Sequence, residues 1–529
     1  MNPIGIDLGT TYSAISKWET KSGSSDSRTY NLASQTSDVL ASKVYLEKDG
    51  DDCSFLVGRT ALQKGITNPD NAVSAVKRKM DDADYRYDLE GNQYGPIEIS
   101  AEILKQLLKE VEAIEKPGGY LPDGLVVTVP YYFKQHQNLN TKKAVLKAIS
   151  ELYGSRRPDV ERLFLGLVAE PIAAGLDFAF TNVGQNFSGQ HFLIFDLGGG
   201  TFDITIFKLN QTGKNVEFEV LAIAGDDRLG GEDFDQVLAE EIWEEAGFDV
   251  DDLDEKSRRR VLTRAMPQVI EAKESLSNSK STPFMLNSLA SGMSEIDLTL
   301  RRADFETALA EGTTDYISKV EMLVDSALNK AGIRAKQINS VLLTGGSSAI
   351  PAFQTMLIDK FGENSIRQNK QMNLAVSRGA AIYAAYLQDE QLQKEGKPRK
   401  YLTHWDSVKV IEPTAHSIGI RTSRSPFFVV IKDNQITPAS KTLPVVPSQL
   451  SADGKKVAWE EIVVLQGNKD SVVGKVRLTE ELYTHGRDKS QIRGKLTVTA
   501  HRNLIRVKLI MPGCRHDRSD YTLEEDLKF

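Results

Sequence analysis

Cysteine is nearly absent: Cys53 and Cys514 are the two thiols in 529 residues. That does not make a disulfide framework, and a reducing cytoplasm is the expected setting. No run of about 18 apolar residues occurs, so neither a transmembrane helix nor a membrane partner is expected. An excess of positive charge is missing too. Lys and Arg number 65 against 73 Asp and Glu, a formal net charge of −8, whereas a dedicated nucleic-acid binder usually carries a basic balance. The seven His are scattered, with no HExxH or CxxC, which gives zinc little support. The P-loop pattern, GxxxxGK followed by Ser or Thr, is lacking as well. A strand-like motif already runs through Gly5, so no room for a signal peptide is expected.

What is present is a globular composition, 40% hydrophobic and 26% charged, at a length that implies roughly two to four domains. One design occurs twice. "IGIDLGTTYSAIS" from Ile4 and "FLIFDLGGGTFDITIF" from Phe192 each read as an apolar strand, Asp-Leu-Gly, a turn of small residues and a second alternating strand. Each is a β-hairpin whose tip is stripped of bulk. Two copies far apart suggest two related lobes facing one cleft.

Between and after them, helical periodicity covers 99–114 and a buried strand is expected at 124–130. A strand end with a small-residue helix is expected at 167–180, charged helices at 232–279, and a strand, Gly-Gly turn and helix at 340–361. An Ala-rich packing helix follows at 375–387. Composition turns polar at 388–400, which reads as a linker. Beyond it come alternating segments such as "FFVVIKDN", "EEIVVLQG" and "GKLTVTAHR", the mark of a small all-β domain. Residues 515–529 are polar and expected to fray.

The hairpin tips suit a phosphate. Small residues let backbone N–H groups approach its oxygens, and Thr hydroxyls add hydrogen bonds. Asp7 and Asp196, each ending a buried strand, would hold a hydrated Mg²⁺ from two sides, since Mg²⁺ keeps several waters. An ordinary tight turn would explain either hairpin alone. It explains poorly two of them followed in order by "LLTGG".

The motifs "GIDLGTTYS", "NPDNAVSAVKR", "VTVPYYF", "AEPIAAG", "DLGGGTFD", "LGGEDFD" and "LLTGGSSAIP" together resemble the Hsp70 (DnaK-type) chaperones, within the superfamily that also holds actin and hexokinase. The resemblance implies an α/β fold: a two-lobed actin/Hsp70-like ATPase domain over 1–387, a linker over 388–411 and a β-sandwich substrate-binding-like domain over 412–513. A polar tail at 514–529 completes the division. It also implies Mg²⁺-dependent hydrolysis of ATP to ADP that gates binding of unfolded or extended polypeptide clients, in the cytoplasm, in protein folding and stress response. A nucleotide-exchange factor is an implied partner; a J-domain protein is the open one.

Carried over by that resemblance, Asp7, Gly9, Thr10, Thr11 and Tyr12 line the first phosphate loop, and Gly198, Gly199, Gly200 and Thr201 the second. Asp196 holds metal waters, Asp203 and Glu170 position the attacking water, and Lys77 is the essential lysine. Gly231, Lys273, Ser277, Gly345, Gly346 and Ser347 cradle ribose and base. The chain also departs from the pattern. Glu274 and Ala349 stand where two arginines sandwich adenine, and Ile270 replaces an acidic ribose contact. Asn138 replaces an interlobe arginine, and "GLVA" before Glu170 lacks the Arg and Asn that receive a J-domain. The apolar linker motif shrinks to Val408, Val410 and Ile411, and the chain ends about where a helical lid is expected. A nucleotide-gated scaffold for one dedicated partner is the alternative. A sugar kinase of the same superfamily is disfavoured by the β-domain.

Overall fold

The computed structural model describes residues 2–528 apart from 22–23, 51, 83, 117–118, 132, 183–186, 213, 288–294, 368–371, 404, 406, 412, 415, 434, 436, 448, 459–460, 468–471 and 501–503. Its contacts divide the chain into two compact units. The first comprises Met1–Tyr131, Asn140–Phe218 and Ala222–Lys409; the second comprises Tyr132–Leu139, Glu219–Leu221 and Val410–Phe529.

The first unit repeats one sheet plan, as the paired hairpins suggested. In one sheet the strands run Phe164–Ala169, Gly124–Val129, Pro3–Asp7, Tyr12–Lys21 and Ser24–Thr29. In the other they run Ile366–Arg367, Ile338–Thr344, Gln190–Leu197, Phe202–Thr212 and Asn215–Asp226. In each, the first three strands are parallel and the third turns back through its hairpin into an antiparallel fourth. Gly124–Val129 is buried at all six positions, because a parallel strand is covered on both faces. That is why it reads as a continuous apolar run.

The helix Met372–Lys394 packs on the first sheet and on the helix Glu170–Thr181. Small residues allow this approach. A β-carbon on Gly379 would fall 1.7 Å from the Ala173 carbonyl oxygen, so only glycine fits there. Beside that contact Arg378 donates two hydrogen bonds to the Asp177 carboxylate, at 2.8 and 2.7 Å. The fork-to-fork pairing satisfies a charge pair that is otherwise costly to bury.

Residues 388–411 differ from the linker expected there. The helix continues to Lys394, and the chain after it is tied to the body. The Asp389 carboxylate accepts the N–H groups of Lys400 and Leu402 at 2.7 Å and of Tyr401 at 3.0 Å. Trp18 Nε1 donates to the Tyr401 carbonyl at 3.1 Å. The Trp405 ring lies 4.8 Å from that of Phe180. Composition missed this because Tyr401, Leu402 and Trp405 are three buried residues in a polar stretch.

In the second unit, residues 410–528 form strands and turns and, among the described residues, no helix. One sheet orders Phe428–Ile431, Ile418–Ile420, Ile462–Gln466 and Val472–Val476. Another orders Ala439–Val445, Gly494–Ala500, Leu504–Met511 and Tyr521–Lys528. They share one apolar cluster that includes Ile418, Val464, Val476, Leu496, Val507 and Leu509. The tail expected to fray is instead the strand Tyr521–Lys528, paired in register with Leu504–Met511. Its polar look is half of an alternation. Tyr521, Leu523 and Leu527 pack on the core, while Glu524 and Asp526 bind Arg506 and Lys508 outside.

Candidate functional site

The two hairpin tips meet. A β-carbon on Gly199 would lie 2.1 Å from Thr11 Oγ1, and one on Gly200 would lie 2.9 Å from Thr10 Oγ1. The second tip is closed by the Gly198 N–H donating to the Thr201 carbonyl at 3.0 Å. All three of its glycine carbonyls are engaged. Gly198 accepts from the Gly231 N–H at 2.9 Å and from Ser347 Oγ at 2.9 Å. Gly199 accepts from the Glu232 N–H at 2.7 Å, and Gly200 from Arg78 Nη2 at 3.2 Å. The N–H groups of Thr10, Thr11, Gly199 and Gly200, by contrast, donate to no partner among the described residues. Donors left without partners on facing glycine-rich turns are the kind of feature that binds anions.

Behind the tips lies a cluster of carboxyls. Asp7 ends the first strand and accepts from Thr128 Oγ1 at 2.9 Å. Asp196 and Asp203 face each other across the second hairpin. Glu170 starts its helix and accepts from Lys77 Nζ, and both side chains are buried. Lys77 sits in the short turn Val76–Lys79, entered through Ala75 at φ 53°. Burial pushes the Asp7 carboxyl up to about 7, with the Glu170 charge adding and Lys77 and Thr128 opposing. Burial and then Glu170 hold Asp196 and Asp203 well above the usual carboxylate range.

Four carboxyls share one ammonium, so the cluster lacks positive charge. Its hard oxygen donors fit Mg²⁺. Among the described residues no three His, Cys, Asp or Glu side chains are grouped so as to hold a metal ion directly. Gly345, at φ 76°, makes room beside this cluster: its β-carbon would lie 2.8 Å from Asp196 Oδ1.

The remaining predicted residues divide into two groups. Gly231, Lys273 and Ser347 converge on the second tip; Lys273 Nζ donates to the Gly231 carbonyl at 3.0 Å and pairs with Asp235 at 2.6 Å. Gly9 donates its N–H to Ser13 Oγ at 3.2 Å, and Thr201 is buried beside the tip. Tyr12 is 48% exposed. Ser277 Oγ instead donates back to the Lys273 carbonyl within its own helix, at 3.3 Å, and the β position of Gly346 opens onto empty space. Arg78 and Thr128 were missed. Arg78 binds Gly200 and pairs with Glu232 at 3.0 Å and Asp233 at 3.1 Å. A usable signal for Thr128 was its hydroxyl inside an otherwise apolar strand.

The profile of the Hsp70 protein family matches residues 79–480. Among curated proteins the chain is similar to the chaperone protein DnaK of Thermosipho melanesiensis, 31% identical over 473 residues, 88% of this chain and 70% of that protein. It is similar also to the chaperone protein DnaK of Thermotoga neapolitana and of Thermotoga maritima. Each is 32% identical over 445 residues, 83% of this chain and 67% of the relative.

Proposed function

The chain belongs to the Hsp70 family, and on that premise we propose how its own residues carry the family's work. It is an ATP-dependent molecular chaperone of the two-lobed actin-like ATPase fold, an ATPase using ATP and ADP with Mg²⁺. The four undonated N–H groups of the facing tips carry the assignment. Thr10, Thr11, Gly199 and Gly200 take the phosphates, with Thr201, Gly9 and Tyr12 shaping the loops. Asp7 and Asp196 hold Mg²⁺ through water; when bound, the ion supplies charge neutralisation on the phosphates. Lys77, steered by Glu170, faces the terminal phosphate and offsets its growing charge, and Glu170 with Asp203 orients the attacking water. Lys273, Gly231, Ser277, Gly345, Gly346 and Ser347 serve ribose and base.

The strands beyond residue 410 act as a β-sandwich that takes an extended polypeptide along the edge strand Phe428–Ile431, by main-chain hydrogen bonds and apolar contacts. A nucleotide-exchange factor and a cytoplasmic setting belong to the same reading. Single-turnover ATP hydrolysis with Mg²⁺ and with a chelator tests the assignment. Removing one positioned transition-state group costs about 10²–10³-fold, so Lys77→Ala should slow hydrolysis by that factor while still binding ATP. Hydrolysis at the parent rate would reject the role of Lys77.

A further inference from the structure

Charge is unevenly shared along this chain. Residues 410–529 carry 19 Lys and Arg against 14 Asp and Glu, in a protein of net −8. The imbalance has an address. Residues 416–445, which hold the strands Ile418–Ile420, Phe428–Ile431 and Ala439–Val445, contain four cations and one acid. That acid, Asp433, accepts a hydrogen bond from Ser417 Oγ at 3.3 Å.

Several cations elsewhere in this unit have carboxylate partners. Lys456 pairs with Glu481 at 2.8 Å, Lys475 with Glu461 at 2.8 Å, Arg506 with Asp526 at 2.7 Å and Arg515 with Glu480 at 2.7 Å. Arg424, Lys432 and Lys441 are exposed and have no carboxylate partner among the described residues.

These cations flank apolar surface. Arg424 rides a tight turn in which the Thr422 N–H donates to the Ser425 carbonyl at 2.9 Å, and Thr422 Oγ1 accepts from the N–H groups of Arg424 and Ser425. The turn leads into the edge strand. There Phe428 and Val429 are 43% and 37% exposed, and the Phe427 ring covers Gly419, 2.6 Å from where a β-carbon would stand. Exposed aromatic and aliphatic groups on a sheet edge, bordered by cations without partners, match a ligand of complementary pattern.

We infer that this edge selects extended polypeptide segments in which acidic residues flank an aliphatic or aromatic core. The inference rests on the proposed peptide site and adds its charge preference. Exposed charge pairs are individually weak and salt-screened, so the preference is about three- to tenfold at low salt.

The test is fluorescence anisotropy on the full-length protein with ADP and Mg²⁺. Three labelled peptides share one Leu-rich core flanked by Glu, by Ser or by Lys. The expected order is Glu over Ser over Lys, with the differences shrinking at 0.5 M salt. Arg424→Glu combined with Lys432→Glu should reverse it and leave the Ser-flanked peptide unchanged. If the Ser-flanked peptide binds and the Glu flanks add nothing, the charge preference is overturned while the peptide site stands. Binding of none of the three overturns both. An oligonucleotide of equal charge binding as tightly as the Glu-flanked peptide also overturns it, in favour of a plain polyanion surface.

Discussion

Asp7 shows how a single buried carboxyl couples stability to function. Its folded pKa of about 7 stands above the ordinary 3.8, so between those values the native state binds a proton that the unfolded state has released. Stability from this group is fully present below about pH 4 and is lost as pH rises through 7. Asp196 and Asp203, also raised, act in the same direction. In chelator without nucleotide, the melting temperature should therefore fall from pH 5 to pH 8. Asp7→Asn keeps an acceptor for Thr128 and removes the ionisation. It should flatten that fall and gain a few kcal/mol at pH 8, at about 1.4 kcal/mol per pKa unit, while weakening Mg²⁺-dependent ATP binding. An Asn variant less stable than the parent at pH 8 would refute this. At the base end, Glu274 and Ala349 are exposed at the two positions where the resemblance would set arginines. An anionic side chain is repelled by an aromatic face and cannot replace cation–π attraction. Calorimetry should find ATP and GTP within about tenfold of each other; strong ATP selectivity would sink this expectation. The residues legible beforehand, Asp7, Gly199 and Asp196, stood in small-residue tips that ordinary packing does not need. Arg78 was illegible because a second cation after Lys77 has no pattern until its partner atoms are known, whereas Thr128 left one faint trace, a hydroxyl inside an apolar strand.

Among elements, the two hairpins and the small-residue helices were plain in the sequence, since alternation and close spacing leave a repeating trace. The anchored stretch after Lys394 and the last strand were not. Both hide apolar residues among polar ones, and only their partners, Asp389 and Trp18 in one case and Leu504–Met511 in the other, reveal the order. Element contacts also separate two glycines of similar appearance. Gly379→Ala drives a β-carbon against the backbone of Ala173, which cannot yield, and overpacking of this kind costs about 1–3 kcal/mol or more. Its melting temperature should drop by roughly 1–4 °C or more, with or without nucleotide. Gly199→Ala meets the Thr11 hydroxyl instead, the end of a side chain that can rotate. It should melt near the parent temperature and lose ATP affinity about tenfold or more. Equal effects of the two substitutions on both readouts would contradict this division.

At the scale of the whole molecule, gating is a thermodynamic statement. If ATP changes the affinity for a polypeptide by some factor, the polypeptide must change the affinity for ATP by the same factor, and such couplings typically run about 5–150-fold. Hydrolysis obscures that equality by converting one ligand during the measurement. Lys77→Ala removes the obstacle, because the proposed role of Lys77 lies in the transition state and the tip N–H groups that take the phosphates remain. With this variant, calorimetry should return one ATP dissociation constant without peptide and a weaker one with saturating Glu-flanked peptide. Anisotropy should return the matching loss of peptide affinity when ATP is saturating. Each unit contains its own apolar cluster, one reaching from Ile4 to Leu163 and another from Ile418 to Tyr521, so each site has a packed body on which to act. Unequal factors would mean that a third state or site is in play. A factor of one in both directions would leave ATP binding and polypeptide binding as separate activities on one chain, and the dedicated scaffold would become the better account.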